Sequence, residues 1–120
     1  MDIKAFKMDG LGNDFVIIDR RKKEVNLSKE QIVKIGNRNN VGFDQIIFIE
    51  KKEENSYPIT IYNSDGGEVS ACGNGARCVA YLLSEDLNSL CLQLHHLWML
   101  WYCYLQSFRI GPALGLICRI

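Results

Sequence analysis

Charge stops abruptly in this chain, and that break limits what can fold. All 14 Asp and Glu residues lie at or before Asp86, and from Leu87 to Ile120 only Arg109 and Arg119 are charged. Both Trp residues, both His residues and three of the five Cys fall in that last stretch. Every element of a small domain needs a solvated face as well as an apolar one, so a continuous domain mixes the two along its length. Residues 1–86 are therefore expected to fold as a partial domain. Residues 87–120 are expected to be a tail of atypical composition with no domain assigned. The loss of acidic groups with a gain in Leu, Cys, Trp and Tyr reads as translation in a shifted frame. A weak membrane-seeking segment is the second reading, but the apolar run Leu97 to Leu105 is only about half of the roughly 20 residues that span a bilayer.

The first 86 residues carry clear punctuation. Residues 3–8 and 14–19 read as strands, the second being the β-rich run Phe15-Val16-Ile17-Ile18 behind Gly10-Leu11-Gly12-Asn13. Ser28 and Gln31 predict a capping box, with Leu27 and Ile32 as its hydrophobic staple. Ile32 and Ile35 share one face of the helix that follows, and Gly36 predicts its end. Gln45 to Glu50 reads as a third strand and Pro58 to Asn63 as a fourth, in which Ile59 and Ile61 alternate with Thr60 and Tyr62. Ser64-Asp65-Gly66-Gly67 predicts a hairpin turn. A second helix is expected from about Asn74 to Ser84, burying Val79, Leu82 and Leu83.

Composition excludes some functions. The net charge is zero, so nucleic acid is not expected as a partner, since phosphate binding needs a basic excess. The start Met1-Asp2-Ile3-Lys4 has no apolar signal core, which predicts a cytoplasmic protein. An odd number of cysteines in such a chain argues against a disulfide scaffold, and without a C-x-x-C pair a zinc site has no support.

Cys72-Gly73-Asn74-Gly75-Ala76-Arg77 carries the chemistry. A cysteine at the mouth of a predicted helix meets free backbone N–H groups and the positive end of the helix dipole. These favour an anion, either a thiolate or a bound carboxylate, and the glycines allow close approach. The plainer alternative is a buried, inert cysteine beside a glycine turn. Gly10-Leu11-Gly12-Asn13-Asp14-Phe15, Gly42-Phe43-Asp44-Gln45 and Asn63-Ser64-Asp65-Gly66 could each be a simple turn. Together they set amides at strand ends, where an amino-acid ligand could be held by neutral hydrogen bonds.

In order and spacing these segments resemble the N-terminal domain of diaminopimelate epimerases. The stretches that carry the resemblance are Met8 to Val16, Gly42 to Gln45, Tyr62 to Gly66 and Ala71 to Cys78, and it covers about residues 3–86. It implies an α/β (α+β) fold: a mixed sheet wrapped around a central helix, here an incomplete N-terminal domain. It implies an isomerase that interconverts LL- and meso-diaminopimelate by proton transfer at Cα, in lysine and peptidoglycan precursor biosynthesis. No pyridoxal phosphate, other cofactor or metal is implied. Cys72 matches the first catalytic cysteine. Asn13, Gln45 and Asn63 match substrate-binding positions, and Gly73 and Asn74 match the backbone clamp for the substrate carboxylate. The partner implied is a small amino acid, diaminopimelate. A homodimer like the family's is not expected of a shortened chain.

Asp9 stands where the family usually has His, and Asn40 stands in a stretch usually richer in glycine. None of Cys78, Cys91, Cys103 or Cys118 is followed by glycine, so the family's second Cys-Gly motif is not found. The chain is thus expected to hold one half of an acid–base pair. The alternatives are a non-catalytic fragment, or a same-fold isomerase with a carboxylate base, against which Cys72 argues. Missing strands would leave open sheet edges and an uncovered apolar face.

Overall fold

A computed structural model describes residues 2–54, 56–87 and 114–119. Two strands come first, β1 (Asp2–Gly10) and β2 (Asn13–Asp19). Helix α1 (Lys29–Gly36), strands β3 (Gln45–Ile49), β4 (Ile59–Asn63) and β5 (Glu68–Val69), helix α2 (Gly73–Leu87) and strand β6 (Leu114–Arg119) follow. They form one mixed sheet in the order β5-β4-β3-β2-β1-β6. Only β2 and β3 run parallel, joined through α1; every other neighbouring pair is antiparallel.

Alternation along the strands builds two cores. Val16 and Ile18 of β2 and Ile46 and Phe48 of β3 pack with Ile32 and Ile35 of α1. Phe15, Ile17, Ile47, Ile49 and Ile61 point to the other face and pack with Cys78, Val79 and Leu83 of α2. Central strands buried on both faces need continuous apolar runs, which is why β3 reads Ile-Ile-Phe-Ile after Gln45. The mixed α+β arrangement is the one the sequence predicts.

Local signals hold in detail. The Ser28 hydroxyl accepts the Gln31 N–H at 3.2 Å, and the Gln31 side chain accepts the Ser28 N–H at 2.8 Å. Gly36 does end α1, but not through a left-handed cap: an added Cβ there would lie 3.1 Å from both the Phe43 ring and Ser64. Its bare backbone makes room for buried Phe43. The β1–β2 hairpin turns on Leu11 and Gly12, with φ of 51° and 86°, as a two-residue turn between right-twisted strands demands. Gly66, at φ +79°, takes the left-handed position of the β4–β5 turn. Helix α2 begins one residue before the expected start and runs three beyond the expected end.

Strand β6 lies in the tail of atypical composition, where the sequence predicts no domain. It pairs with the outer edge of β1 from Asp2↔Arg119 to Lys7↔Leu114. An open edge offers a row of unsatisfied N–H and C=O groups, and an apolar extended segment completes it whatever its side-chain periodicity. The run Leu97 to Leu105 lies outside the described residues. Among the described residues no helix is long and apolar enough to cross a membrane.

Candidate active site at the start of α2

Cys72 is the N-cap of α2. Its carbonyl accepts the Ala76 N–H at 2.9 Å, the first intrahelical bond. Its sulfur accepts the Gly75 N–H at 3.3 Å, the place that a Ser or Asp oxygen takes in most helices. The N–H groups of Gly73 and Asn74 have no carbonyl within the helix to bond, as at any helix start. Gly73 is exposed, and a Cβ added to it would meet nothing within 4 Å. The half-buried sulfur and the open first turn therefore share one positively polarised corner.

Gly75 fixes where that corner sits. A Cβ on it would fall 2.5 Å from Ile47 Cδ1 and 3.5 Å from Phe15 Cε1. The helix backbone thus rests directly on the middle of the sheet. Asn13 and Gln45 lie two residues before Phe15 and Ile47, on the same face and roughly 7 Å further along their strands. Asn63, two beyond Ile61, is the direct cross-strand partner of Gln45. Gln45 and Asn63 therefore sit side by side near the start of α2, and Asn13 lies on the same face two residues further out along β2, since Phe15 is the register partner of Gln45. Gln45 Nε2 donates to Asn63 Oδ1 at 3.0 Å. Gln45 Oε1 is buried and has no hydrogen-bond partner among the described residues. A buried orphan acceptor costs about 1–3 kcal/mol, and a ligand N–H is the kind of group that would satisfy it. Asn74 is steadied from its own helix, where Arg77 donates to its Oδ1 at 3.2 Å.

The charged groups at this end of the sheet project from the opposite face. Asp14 and Asp44 precede Phe15 and Gln45, so they face α1. Arg38 bonds both carboxylates, at 2.9 Å to Asp14 Oδ1 and 2.8 Å to Asp44 Oδ1, and Lys7 reaches Asp14 Oδ2 at 2.7 Å. Burial alone would raise the Asp14 pKa, but the hydrogen bonds from Arg38 and Lys7 outweigh it and hold the carboxyl well below the usual range. A second paired group buttresses the far end of the sheet. There the Arg20 guanidinium forks onto Glu50, with Nε 2.7 Å from Oε2, and stacks 4.5 Å over the Phe48 ring. A concavity of about 450 Å³ opens at that end, lined by Arg20, Glu24, Asn26, Glu50, Lys51, Glu53 and Pro58, away from Cys72. Among the described residues no three His, Cys, Asp or Glu side chains gather closely enough to hold a metal.

The family model for diaminopimelate epimerase matches residues 5–93. The chain belongs to the diaminopimelate epimerase family. It is 59% identical over 86 residues to the diaminopimelate epimerase of Pelagibacter ubique, covering 72% of this chain and 31% of the relative. It is 49% identical over 89 residues to that of Chromobacterium violaceum, covering 72% and 32%. This member of the diaminopimelate epimerase family thus spans about a third of the length of the curated relatives it matches. Among solved structures it resembles a phenazine biosynthesis protein of the PhzF family from Bacillus anthracis, with a TM-score of 0.52 and 25% identity over 72% of this chain and 29% of that one. A PhzF-family protein from Enterococcus faecalis matches with a TM-score of 0.51 at 20% identity, over 75% of this chain and 34% of that one; it bears on the fold alone.

All six residues singled out in the sequence, Asn13, Gln45, Asn63, Cys72, Gly73 and Asn74, fall at this one end of the sheet. What sequence reasoning missed is the charged set behind them. Asp14 and Asp44 stand inside the quoted motifs, but a signal that they face away from the amides appears only with the strand register.

Proposed function

We propose that this chain carries the first half of a diaminopimelate epimerase site, in which Cys72 exchanges a proton with Cα of diaminopimelate and so serves the interconversion of its LL and meso forms. The observation that supports this best is the Cys72 sulfur held by the Gly75 N–H at 3.3 Å at an open helix start. Hydrogen bonding and the helix dipole both stabilise negative charge on that sulfur. In the forward direction the thiolate takes the Cα proton and becomes a thiol. The C–H electron pair passes into the adjoining carboxylate, where the N–H groups of Gly73 and Asn74 stabilise the growing charge. Asn13, Gln45 and Asn63 hold the amino acid by neutral hydrogen bonds, with Gln45 Oε1 accepting from its ammonium group. Inversion is completed by an acid on the opposite face of Cα, and in the reverse direction the two groups exchange roles.

Cys78 is not that acid. Its side chain is fully buried in the α2-side core, about two turns inside the helix. The second group comes from outside residues 72–78, as the two-cysteine mechanism of the family implies. On this reading the protein works in the cytoplasm, in lysine and peptidoglycan precursor biosynthesis, without pyridoxal phosphate.

Two measurements on this chain test the proposal. Millimolar LL-diaminopimelate is expected to slow alkylation of Cys72 by iodoacetamide, read by peptide mass at Cys72, with Cys72→Ala giving the background from the other four cysteines. An unprotected Cys72 would remove it from the binding site. In deuterium oxide the chain alone is expected to give no meso product. Meso-diaminopimelate carrying deuterium at Cα would show that one sulfur suffices and overturn the half-site reading.

A further inference from the structure

Four charged side chains on the α1 face do not enter that chemistry, yet they hold the two strands that carry it. Asp14 N–H donates to Asp44 Oδ2 at 2.9 Å, and Asp44 N–H returns the bond to Asp14 Oδ1 at 3.0 Å. The Asp44 N–H also donates to the Asp14 carbonyl at 3.0 Å, so carboxylate and backbone bonds together cap the starts of the two parallel strands. Arg38, arriving from the loop after α1, bridges both carboxylates. Lys7 of β1 bonds Asp14 and the carbonyl of Gly42. Gly42 makes the bridge sterically feasible. At φ +67° its missing Cβ would lie 2.9 Å from Arg38 Cδ and 3.0 Å from Arg38 Cα, so a side chain there would push Arg38 aside.

We propose that Asp14, Arg38 and Asp44, with Lys7 and Gly42, are positioning residues that hold Asn13 and Gln45 in place for the ligand. Asp14 is the chain neighbour of Asn13, and Asp44 is the neighbour of Gln45. Each pair projects to opposite faces of the sheet, so the ion cluster locks the backbone from behind while the amides in front stay neutral. Arg38 is suited to this because a planar guanidinium bridges two carboxylates in fixed geometry, which a lysine ammonium does not. The proposal rests on the amide row being the ligand site, but its test uses no ligand.

The test is solvent exchange of the Gln45 side-chain amide by NMR, read against the backbone amides of Ile17 and Ile47, in Arg38→Lys, Asp14→Asn and Lys7→Gln variants of the whole chain. Arg38→Lys and Asp14→Asn are expected to speed Gln45 exchange about tenfold, the worth of one charge-assisted hydrogen bond, while Ile17 and Ile47 keep their protection. Lys7→Gln, which leaves the guanidinium bridge intact, should have the smaller effect. Unchanged Gln45 exchange in Arg38→Lys and Asp14→Asn would overturn the proposal. Equal loss of protection at Gln45 and in the core, in all three variants, would overturn it too and assign the cluster to stability alone. Failure of substrate protection at Cys72 would leave these outcomes unaffected, so the two readings fail separately.

Discussion

Gly75→Ala sets two opposed effects of known size against each other. In an ordinary helix, alanine gains about 1 kcal/mol over glycine, because it loses less backbone freedom on folding. Here the new methyl would start 2.5 Å from Ile47 Cδ1 and 3.5 Å from Phe15 Cε1. Carbon atoms rest at about 3.5–4.0 Å, so the helix start or Ile47 must move by roughly 1 Å or more. Ile47 and Phe15 are both fully buried, and overpacking of this kind costs about 1–3 kcal/mol. The net expectation is destabilisation of up to about 2 kcal/mol, read as a lower urea midpoint. Lifting α2 also stretches the Gly75 N–H to Cys72 Sγ bond. The iodoacetamide rate at Cys72 should therefore change. An alanine variant that is about 1 kcal/mol more stable, with Cys72 alkylating as before, would refute the claim that close backbone packing at Gly75 places the sulfur.

Leu11 sits at φ 51° in a two-residue turn that favours Asn or Gly at this position. Leu11→Asn is expected to stabilise the chain by roughly 1 kcal/mol, measured by urea denaturation; no gain would mean that the exposed leucine makes a compensating contact. Acid should destabilise the fold with a definite sign. Asp14 and Glu50 are both held below their usual values of 3.8 and 4.5 by arginine partners, so the unfolded chain binds more protons as pH falls. Their contribution is fully present above about pH 5 and is lost progressively as the pH drops through 4.5 and below. A urea midpoint that stays level from pH 7 to 3 would contradict it.

Much of the fold was legible because its signals are local. Ser28 and Gln31 announce their helix within four residues, and Asp65-Gly66 announces its turn within two. Phe15 to Ile18 and Ile46 to Ile49 are too apolar to be anything but buried. The candidate site residues stand out for a different reason: Asn13 and Cys72 lie directly beside glycines, and Gln45 and Asn63 lie within three residues of one, each near an element boundary. What stayed hidden depends on register. Nothing local says that Asp14 opposes Asp44 across parallel strands, or that Arg38 reaches both. A helix-ending glycine is usually a left-handed cap; that Gly36 instead makes room for Phe43 is a tertiary fact. Strand β6 was hidden for the same reason, since Leu114 to Arg119 gains its partners from the free edge of β1 rather than from any pattern of its own.

The placement of charge explains why the site end of this sheet is built on two faces. On the proposed reading, a sulfur that carries negative charge beside a developing carbanion is opposed by any uncompensated carboxylate nearby. Yet the strand starts that hold Asn13 and Gln45 need strong groups to fix them. The sheet separates these demands: side chains at successive positions leave opposite faces, so Asp14 and Asp44 can clamp the backbone on the α1 side, each paired with Arg38. On the α2 side, the Gly75 N–H bonds Cys72, Arg77 bonds Asn74, and the strand-end side chains that face the helix start are the amides of Asn13, Gln45 and Asn63. Slipping either strand by one residue would carry a carboxylate onto the sulfur's face and an amide away from it. On this argument a carboxylate placed on the amide row, as in Asn63→Asp, should slow Cys72 alkylation, whereas the existing carboxylates of Asp14 and Asp44 do not.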